Sequence, residues 1–325
     1  MKETIADSNF PHTSDGRVYH LGIKKGEIAN RILTVGDHVR AKRISKHFDS
    51  DPFEFVSQRG FTTFTGLYKG VPVSIVAIGM GYPMMDFFVR ETRAVVMGDL
   101  IIIRFGSCGT LVPEIPVGRI VVCSKALAIN TNYDYFHRVD EDKSKRSPYL
   151  ISCPIPCDKS LHDDLTEELS RSSKDIIGPI ESNTLHAAGD SFYSSQGRLD
   201  PNFLDQNQDL IQTLHSKYPK LVTLEMETPH LFHLAAIASH DPSQFQPTHQ
   251  SAKESVGFEV GRGIIRAAAA HMTFAGRVGG EFISPERTEL LENFAGKACL
   301  ETLIRQSIQI ENLHPENGSV WESKK

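Results

Sequence analysis

Gln196-Gly197-Arg198, inside the run Phe192 to Asp200, sets one amide and one guanidinium on either side of a glycine. The amide both donates and accepts, and the guanidinium donates at fixed angles. Such a planar fork matches the carbonyl, N–H, carbonyl edge of uracil. The same tripeptide also suits an ordinary surface turn, so the rest of the chain must decide. Phe192 and Tyr193 precede it; they suit stacking on a base, or plain core.

Three further constellations carry polar groups where the chain leaves an apolar run. In Val35-Gly36-Asp37-His38-Val39-Arg40 a glycine before a helix start lets backbone N–H groups approach an anion, and Arg40 sits one turn further on. The alternative is an ordinary cap made by Asp37. In Arg104-Phe105-Gly106-Ser107-Cys108-Gly109-Thr110 an arginine follows four apolar residues, so a charge emerges from a buried strand and needs a partner. Glycines and small hydroxyls beside it suit an anion nest; a buried ion pair from Arg104 to some carboxylate is the alternative. In Glu225-Met226-Glu227, alternation along a strand puts both carboxylates on one side. Paired carboxylates accept hydrogen bonds from vicinal hydroxyls, as on a ribose, and also resemble the acid/base pair of a glycosidase. A solvated acidic strand end is the plain reading.

The elements that must position these groups alternate between strand and helix, which predicts an α/β layer fold. Arg31 to Val35 and Leu100 to Ile103 read as short buried strands, and Arg119 to Cys123 as another. Phe61 to Tyr68 and Val71 to Ile78 read as a hairpin across Lys69-Gly70. Helices are predicted over Val39 to Phe48, after Gly81, over Leu161 to Ser172 and over Arg287 to Ile310. Thr228-Pro229 reads as an N-cap and first helical position. Ile264 to Phe274 is apolar and alanine-rich, and periodicity leaves its state open. Residues 1–17 are expected to be flexible, 18–312 to form one domain, 239–261 to be a surface insertion and 313–325 a flexible tail.

Composition bounds the partners. The chain has 325 residues, 40% hydrophobic and 23% charged, with a net charge of −5. It has no basic block to grip a phosphodiester backbone, so nucleic acid is not expected. No run reaches the roughly 18 apolar residues of a membrane helix, and the N-terminal residues lack the apolar core of a secretory signal. Five cysteines with no paired zinc spacing read as reduced thiols, with no metal site and a cytoplasmic location expected.

The motifs, in order, are Tyr19-His20-Leu21-Gly22, Gly36-Asp37-x-x-Arg40, Arg104-x-Gly106-Ser107-x-Gly109, Phe192-Tyr193-x-x-Gln196-Gly197-Arg198 and Glu225-Met226-Glu227, followed by Arg277 through Ile283-Ser284-Pro285. In this set the chain resembles the uridine phosphorylases of the nucleoside phosphorylase-I family from about Val18 to Arg305. The resemblance implies a single-domain three-layer α/β/α fold, a mixed twisted sheet forming a partial barrel flanked by helices. It implies that Gly36, Arg40, Arg59, Arg104 and Ser107 bind phosphate, and that His20, Glu225, Met226 and Glu227 bind ribose. Phe192, Gln196 and Arg198 would bind uracil, with Phe192 behind the ring, and Arg277, Ile283 and Pro285 would form a lid. Arg59 and His20 would come from a neighbouring subunit of a homo-oligomer. Two family positions for a potassium ion fall on Gly60 and Met84, which carry neither carboxylate nor hydroxyl, and Cys108 replaces a common hydroxyl.

The implied reaction converts uridine and phosphate to uracil and ribose 1-phosphate, with inorganic phosphate as co-substrate and no organic cofactor. Arg104, Arg198, Gln196 and Glu227 would carry catalysis. A preorganised donor to the departing base anion supplies about 3 kcal/mol. Arg104→Ala is expected to abolish phosphorolysis and leave the fold intact. Purine nucleoside phosphorylases of the same fold, a hydrolytic nucleosidase and a catalytically silent nucleoside-binding homologue are the alternatives.

Overall fold

The computed structural model describes residues 5–138, 146–173, 176–238 and 263–322. The expected insertion at 239–261 lies outside them. Thirteen strands and seven helices of four residues or more are present among the described residues.

The centre of the molecule is a closed ring of five strands. These are β7 (Leu100–Thr110), β8 (Ile120–Thr131), β11 (Glu181–Gly189), β12 (Leu221–Glu225) and β13 (Ile265–Gly276). β7 pairs antiparallel with β12, β12 parallel with β11, β11 parallel with β8, β8 antiparallel with β13, and β13 parallel with β7. From β7 the sheet continues outward through β3 (Arg31–Val35), β6 (Val71–Ala77), β5 (Thr62–Tyr68) and β4 (Phe53–Val56). The expected mixed sheet and partial barrel are therefore both present.

Helices cover the sheet on two sides, and strand sequence explains why. In β7, Ile101, Ile103 and Phe105 pack with α1 (His38–Ser45), α4 (Lys159–Ser173) and α7 (Pro285–Arg305). Leu100 and Ile102 point the other way, toward α2 (Tyr82–Val95) and α6 (Thr228–Ile237). Both faces are buried, so the strand shows no polar alternation. β13 behaves likewise: Ala268, Ala270 and Met272 join the first core, Ala267 and Ala269 the second. Alanine favours helix in isolation, but here small side chains let β13 lie between β7 and β8, and tertiary pairing prevails.

Four expectations are corrected. β7 does not end at Ile103; it runs unbroken to Thr110, held by β3, β12 and β13. The last long helix ends at Arg305. The cap of α6 is Glu227, one residue before Thr228. Neither end is a loose tail over its described residues. β1 (Ile5–Ala6) pairs with β2 (His12–Thr13), and Arg17 forms a two-pronged ion pair with Glu27. At the other end His314 and Trp321 are buried, and the His314 N–H donates to Asn30 Oδ1 at 2.8 Å.

Candidate active site

Seven loop and strand-end segments converge on a cavity of about 430 Å³, within the range of roughly 300–1,000 Å³ usual for small-molecule sites. Its walls bring together ten of the residues expected from the sequence: Gly36 and Arg40, Arg104 and Ser107, Phe192, Gln196 and Arg198, and Glu225, Met226 and Glu227.

The start of α1 supplies Gly36, Asp37, His38 and Arg40. Asp37 caps the helix, its Oδ1 accepting the Arg40 N–H at 2.7 Å. The capping and cavity-lining readings of this segment thus coexist. Arg40 is buried, donating from Nε to Glu292 Oε1 at 3.0 Å and from Nη1 to the Phe105 carbonyl at 3.2 Å. Burial pushes its guanidinium down to about 10, which leaves it charged at neutral pH.

β7 supplies Arg104, Ser107, Cys108 and Gly109. The segment stays extended rather than curling into a nest: β13 pairs one edge throughout, while on the other edge β3 reaches only Arg104 and β12 only Gly109 and Thr110. Arg104 instead stands between two carboxylates. Its Nε donates to Glu225 Oε2 at 3.2 Å and its Nη2 to Glu227 Oε2, with all three side chains buried. The ion-pair reading of Arg104 is correct, yet it does not exhaust the residue. Nη1 is buried with no hydrogen-bond partner among the described residues. An orphaned charged donor on a cavity wall calls for an anionic or carbonyl ligand. This geometry revises the expectation for Arg104→Ala: removing the cation leaves two buried carboxylates without their partner, so the fold would not stay intact. Cys108 is buried beside Glu225, and both burial and that carboxylate push its thiol well above the usual range, which disqualifies it as a nucleophile.

Glu225 ends β12 and Glu227 caps α6. Glu225 Oε1 accepts the N–H groups of Glu227 at 2.9 Å and Thr228 at 2.8 Å. The His186 imidazole, its Nε2 3.4 Å from Oε1, and the charge of Arg104 hold Glu225 well below the usual carboxylate range despite its burial. Glu227 goes the other way: burial, with the Glu225 charge nearby, pushes it up to about 8 against the pull of Arg104. The two carboxyls are thus driven in opposite directions, and each Glu227 oxygen already takes a donor, Oε1 the Gly81 N–H and Oε2 Arg104 Nη2.

The fork lies on a pinned turn. Gly197 takes φ +64°, a left-handed conformation that favours glycine. Arg277 Nη1 donates to the Gln196 carbonyl at 2.9 Å, and Asn207 Nδ2 to the Arg198 carbonyl at 2.8 Å. Within the fork Arg198 Nη1 donates to Gln196 Oε1 at 2.8 Å, while Gln196 Nε2 donates to the Glu225 carbonyl at 3.1 Å. Each end of the Gln196 amide keeps one hydrogen-bonding position for a ligand. Burial, then the charge of Arg277, pushes Arg198 down to about 10.

Other expected site residues lie elsewhere. His20 is not on the cavity wall; its Nδ1 lies 2.6 Å from Glu91 Oε1 and its ring stacks on Phe87. Arg59 lies over the Tyr19 ring, 4.8 Å from the centroid, and bonds its hydroxyl. The two thus gather around Tyr19, away from this chain's own cavity. In the expected lid, Arg277 holds the fork turn, Ile283 packs on the core and Pro285 opens α7; none lines the cavity. Phe282 does, and it is the residue of that stretch the sequence reading missed. Phe274 and Met80 are also unanticipated wall residues.

His186 and His271 were missed as well. Their ring nitrogens lie within 4.8 Å of the Glu225 oxygens, a donor set that in type suits a cation. Both Glu225 oxygens are, however, already occupied by Arg104 and two backbone N–H groups, and a cation would oppose Arg104.

A ring of strands with an arginine-, glutamate- and amide-lined cavity at its edge is a nucleoside phosphorylase architecture. Residues 30–241 match the phosphorylase superfamily, and the chain belongs to that family. A solved structure from a study of two uridine phosphorylases of the oomycete Phytophthora capsici superposes with a TM-score of 0.80 at 38% identity, covering 94% of this chain and 100% of that one. The chain is 29% identical over 239 residues to the uridine phosphorylase of Thermococcus kodakarensis, covering 73% of this chain and 78% of that protein. It is 32% identical over 225 residues to a DeoD-type purine nucleoside phosphorylase of Streptococcus pneumoniae, covering 67% of this chain and 79% of that one.

Proposed function

We propose that this chain is a uridine phosphorylase, converting uridine and inorganic phosphate reversibly to uracil and α-D-ribose 1-phosphate in cytoplasmic pyrimidine salvage. The observation that carries this reading is the Gln196/Arg198 fork sharing one cavity with Arg40, Arg104 and the Glu225/Glu227 pair. The free lone pair and free N–H of the Gln196 amide match the N–H and one carbonyl of uracil, and Arg198 serves the other carbonyl.

Phosphate would sit among Gly36, Arg40, Ser107 and the unpartnered Nη1 of Arg104. Breaking the glycosidic bond builds positive charge on the sugar and negative charge on the base. Arg198 and Gln196 would stabilise the departing anion with fixed donors. Fixing the phosphate beside the anomeric carbon removes most of the entropic cost of the encounter. Glu227 and Met226 would hold the ribose, and no protein nucleophile is needed. His20 and Arg59 would complete the site of a neighbouring subunit in a homo-oligomer, which accounts for their absence from this chain's own cavity wall.

The relationship to the Streptococcus pneumoniae protein makes a purine nucleoside phosphorylase the second reading. Met272 to Arg277 offers no aspartate to protonate a purine, and the fork favours a pyrimidine. The test is base release from uridine with and without phosphate, with inosine in parallel. Phosphate-dependent release from uridine alone is expected. Preference for inosine would overturn the fork assignment, and release without phosphate would make the enzyme a hydrolase.

A further inference from the structure

Behind the cavity wall, β11, β12 and β13 bring His186, Thr223 and His271 against the back of Glu225. All three are fully buried. The imidazoles stack with centroids 4.2 Å apart. His186 Nδ1 lies 2.6 Å from Thr223 Oγ1, and its Nε2 lies 3.4 Å from Glu225 Oε1. His271 Nε2 is 3.0 Å from Thr228 Oγ1.

Glu225 is the joint of the site. One of its oxygens takes the N–H groups of Glu227 and Thr228; the other takes Arg104 Nε. Rotation of this one carboxylate would displace both the backbone that carries Glu227 and the guanidinium proposed to meet phosphate.

The tautomer of His186 follows from its two neighbours. With its proton on Nδ1, a bare Nε2 lone pair would face a buried carboxylate oxygen, which is repulsive in low dielectric. The Thr223 hydroxyl serves either tautomer. When it donates to Nδ1, the proton is on Nε2 and faces Glu225.

We propose that His186 is a positioning residue for phosphorolysis: Thr223 anchors its ring through Nδ1, its Nε2–H faces and orients Glu225, and Glu225 sets Arg104 and Glu227. This rests on the phosphorolysis reading above. The titratable groups facing Glu225 are Tyr82 from α2, Arg104 and Cys108 from β7, Cys123 from β8, His186 from β11, His271 from β13 and Glu227 at the start of α6. His271 has its own partner in Thr228 and supplies the surface on which His186 stacks. Gly106 leaves room for it, since a Cβ there would lie 2.7 Å from His271 Cδ2.

The experiment compares the wild-type enzyme with Thr223→Val, near in shape but without the hydroxyl, and with Thr223→Ser. Nitrogen-15 spectra of the wild-type imidazoles are expected to show His186 protonated on Nε2. In Thr223→Val the Nδ1 lone pair loses its donor, its nitrogen-15 resonance moves to that of an unbonded nitrogen, and the acid limb of kcat/KM for uridine moves up by about one pH unit. At neutral pH kcat/KM falls roughly tenfold. Thr223→Ser restores both. A bare Nε2 in the wild-type spectrum, or an unmoved acid limb in Thr223→Val, would overturn the proposal. If the wild-type enzyme releases no base, the phosphorolysis reading fails instead. The His186 tautomer and the carbon-13 titration of Glu225 in wild type and Thr223→Ser then still decide whether the pair sets the carboxylate. These readings also serve if Thr223→Val does not fold.

Discussion

The guanidinium of Arg198 lies over the ring of Phe192, with Cζ 3.7 Å from the centroid. The aromatic expected to back the base also backs the guanidinium proposed to read it. Its ring fixes the plane of a charge that burial has partly stripped of water, and a cation over an aromatic face gains about 0.5–2 kcal/mol. Phe192→Leu is therefore expected to raise KM for uridine roughly fivefold, with a smaller change in kcat. Phe192 is 44% exposed, so stability should move by no more than about 0.5 kcal/mol. Steady-state kinetics beside thermal unfolding check both; an unchanged KM would separate Phe192 from the work of Arg198.

Arg104 couples function to stability. Arg104→Ala removes the cation from two buried carboxylates, so turnover should vanish and stability should fall by roughly 3–5 kcal/mol. Adding Glu227→Gln to Arg104→Ala removes one of the two orphaned buried carboxyls and should recover part of that stability without recovering turnover. Chemical denaturation and activity measured on the same preparations test this. A fully stable Arg104→Ala would mean that the carboxylates do not depend on it.

How much of this was legible in the sequence depends on how local each signal is. The fork, the α1 start and the Glu225/Glu227 pair each lie within a few residues, and all line the cavity. The course of residues 104–110 was not legible. Arg104, Gly106, Ser107 and Gly109 look like a loop, yet pairing with β12 and β13, more than a hundred residues downstream, keeps them extended. Alanine-rich β13 was ambiguous for the same reason. His186 and His271 sit singly inside apolar runs, Leu185-His186-Ala187 and Ala270-His271-Met272, where a lone histidine reads as core. Only the ring closure brings them together. The C-terminal segment looked like a tail because its two anchors, His314 and Trp321, are isolated among polar residues.

Glu227 gives the enzyme a stability that declines as pH rises. Its carboxyl is raised from 4.5 to about 8, chiefly by burial. Between those values the folded protein holds a proton that the unfolded chain has lost. The contribution is whole below about 4.5 and disappears as pH rises through about 8. Thermal midpoints of Glu227→Gln measured across that window should fall less with pH than those of the wild type. Parallel curves for the two proteins would assign the slope to other groups.

At the C-terminal segment the sign is opposite. Burial, helped by Lys25 and Arg93, pushes His314 down from 6.5 to about 4. Its Nδ1 accepts the Met97 N–H at 3.0 Å, which requires a neutral ring. The unfolded chain takes up a proton at about 6.5 that the folded one refuses until about 4, so stability falls as pH drops through that interval. Trp321, the only tryptophan in the chain, lies 5.9 Å from the His314 ring, centroid to centroid. Its fluorescence therefore reports this packing directly. Acidification from pH 7 toward 4 should shift its emission toward that of exposed indole before β-sheet circular dichroism is lost, and His314→Gln should delay the shift. Trp321→Ala should cost roughly 3 kcal/mol while leaving KM for uridine unchanged, because neither anchor lines the cavity. Emission that changes only together with the sheet would show that the segment unfolds with the whole domain.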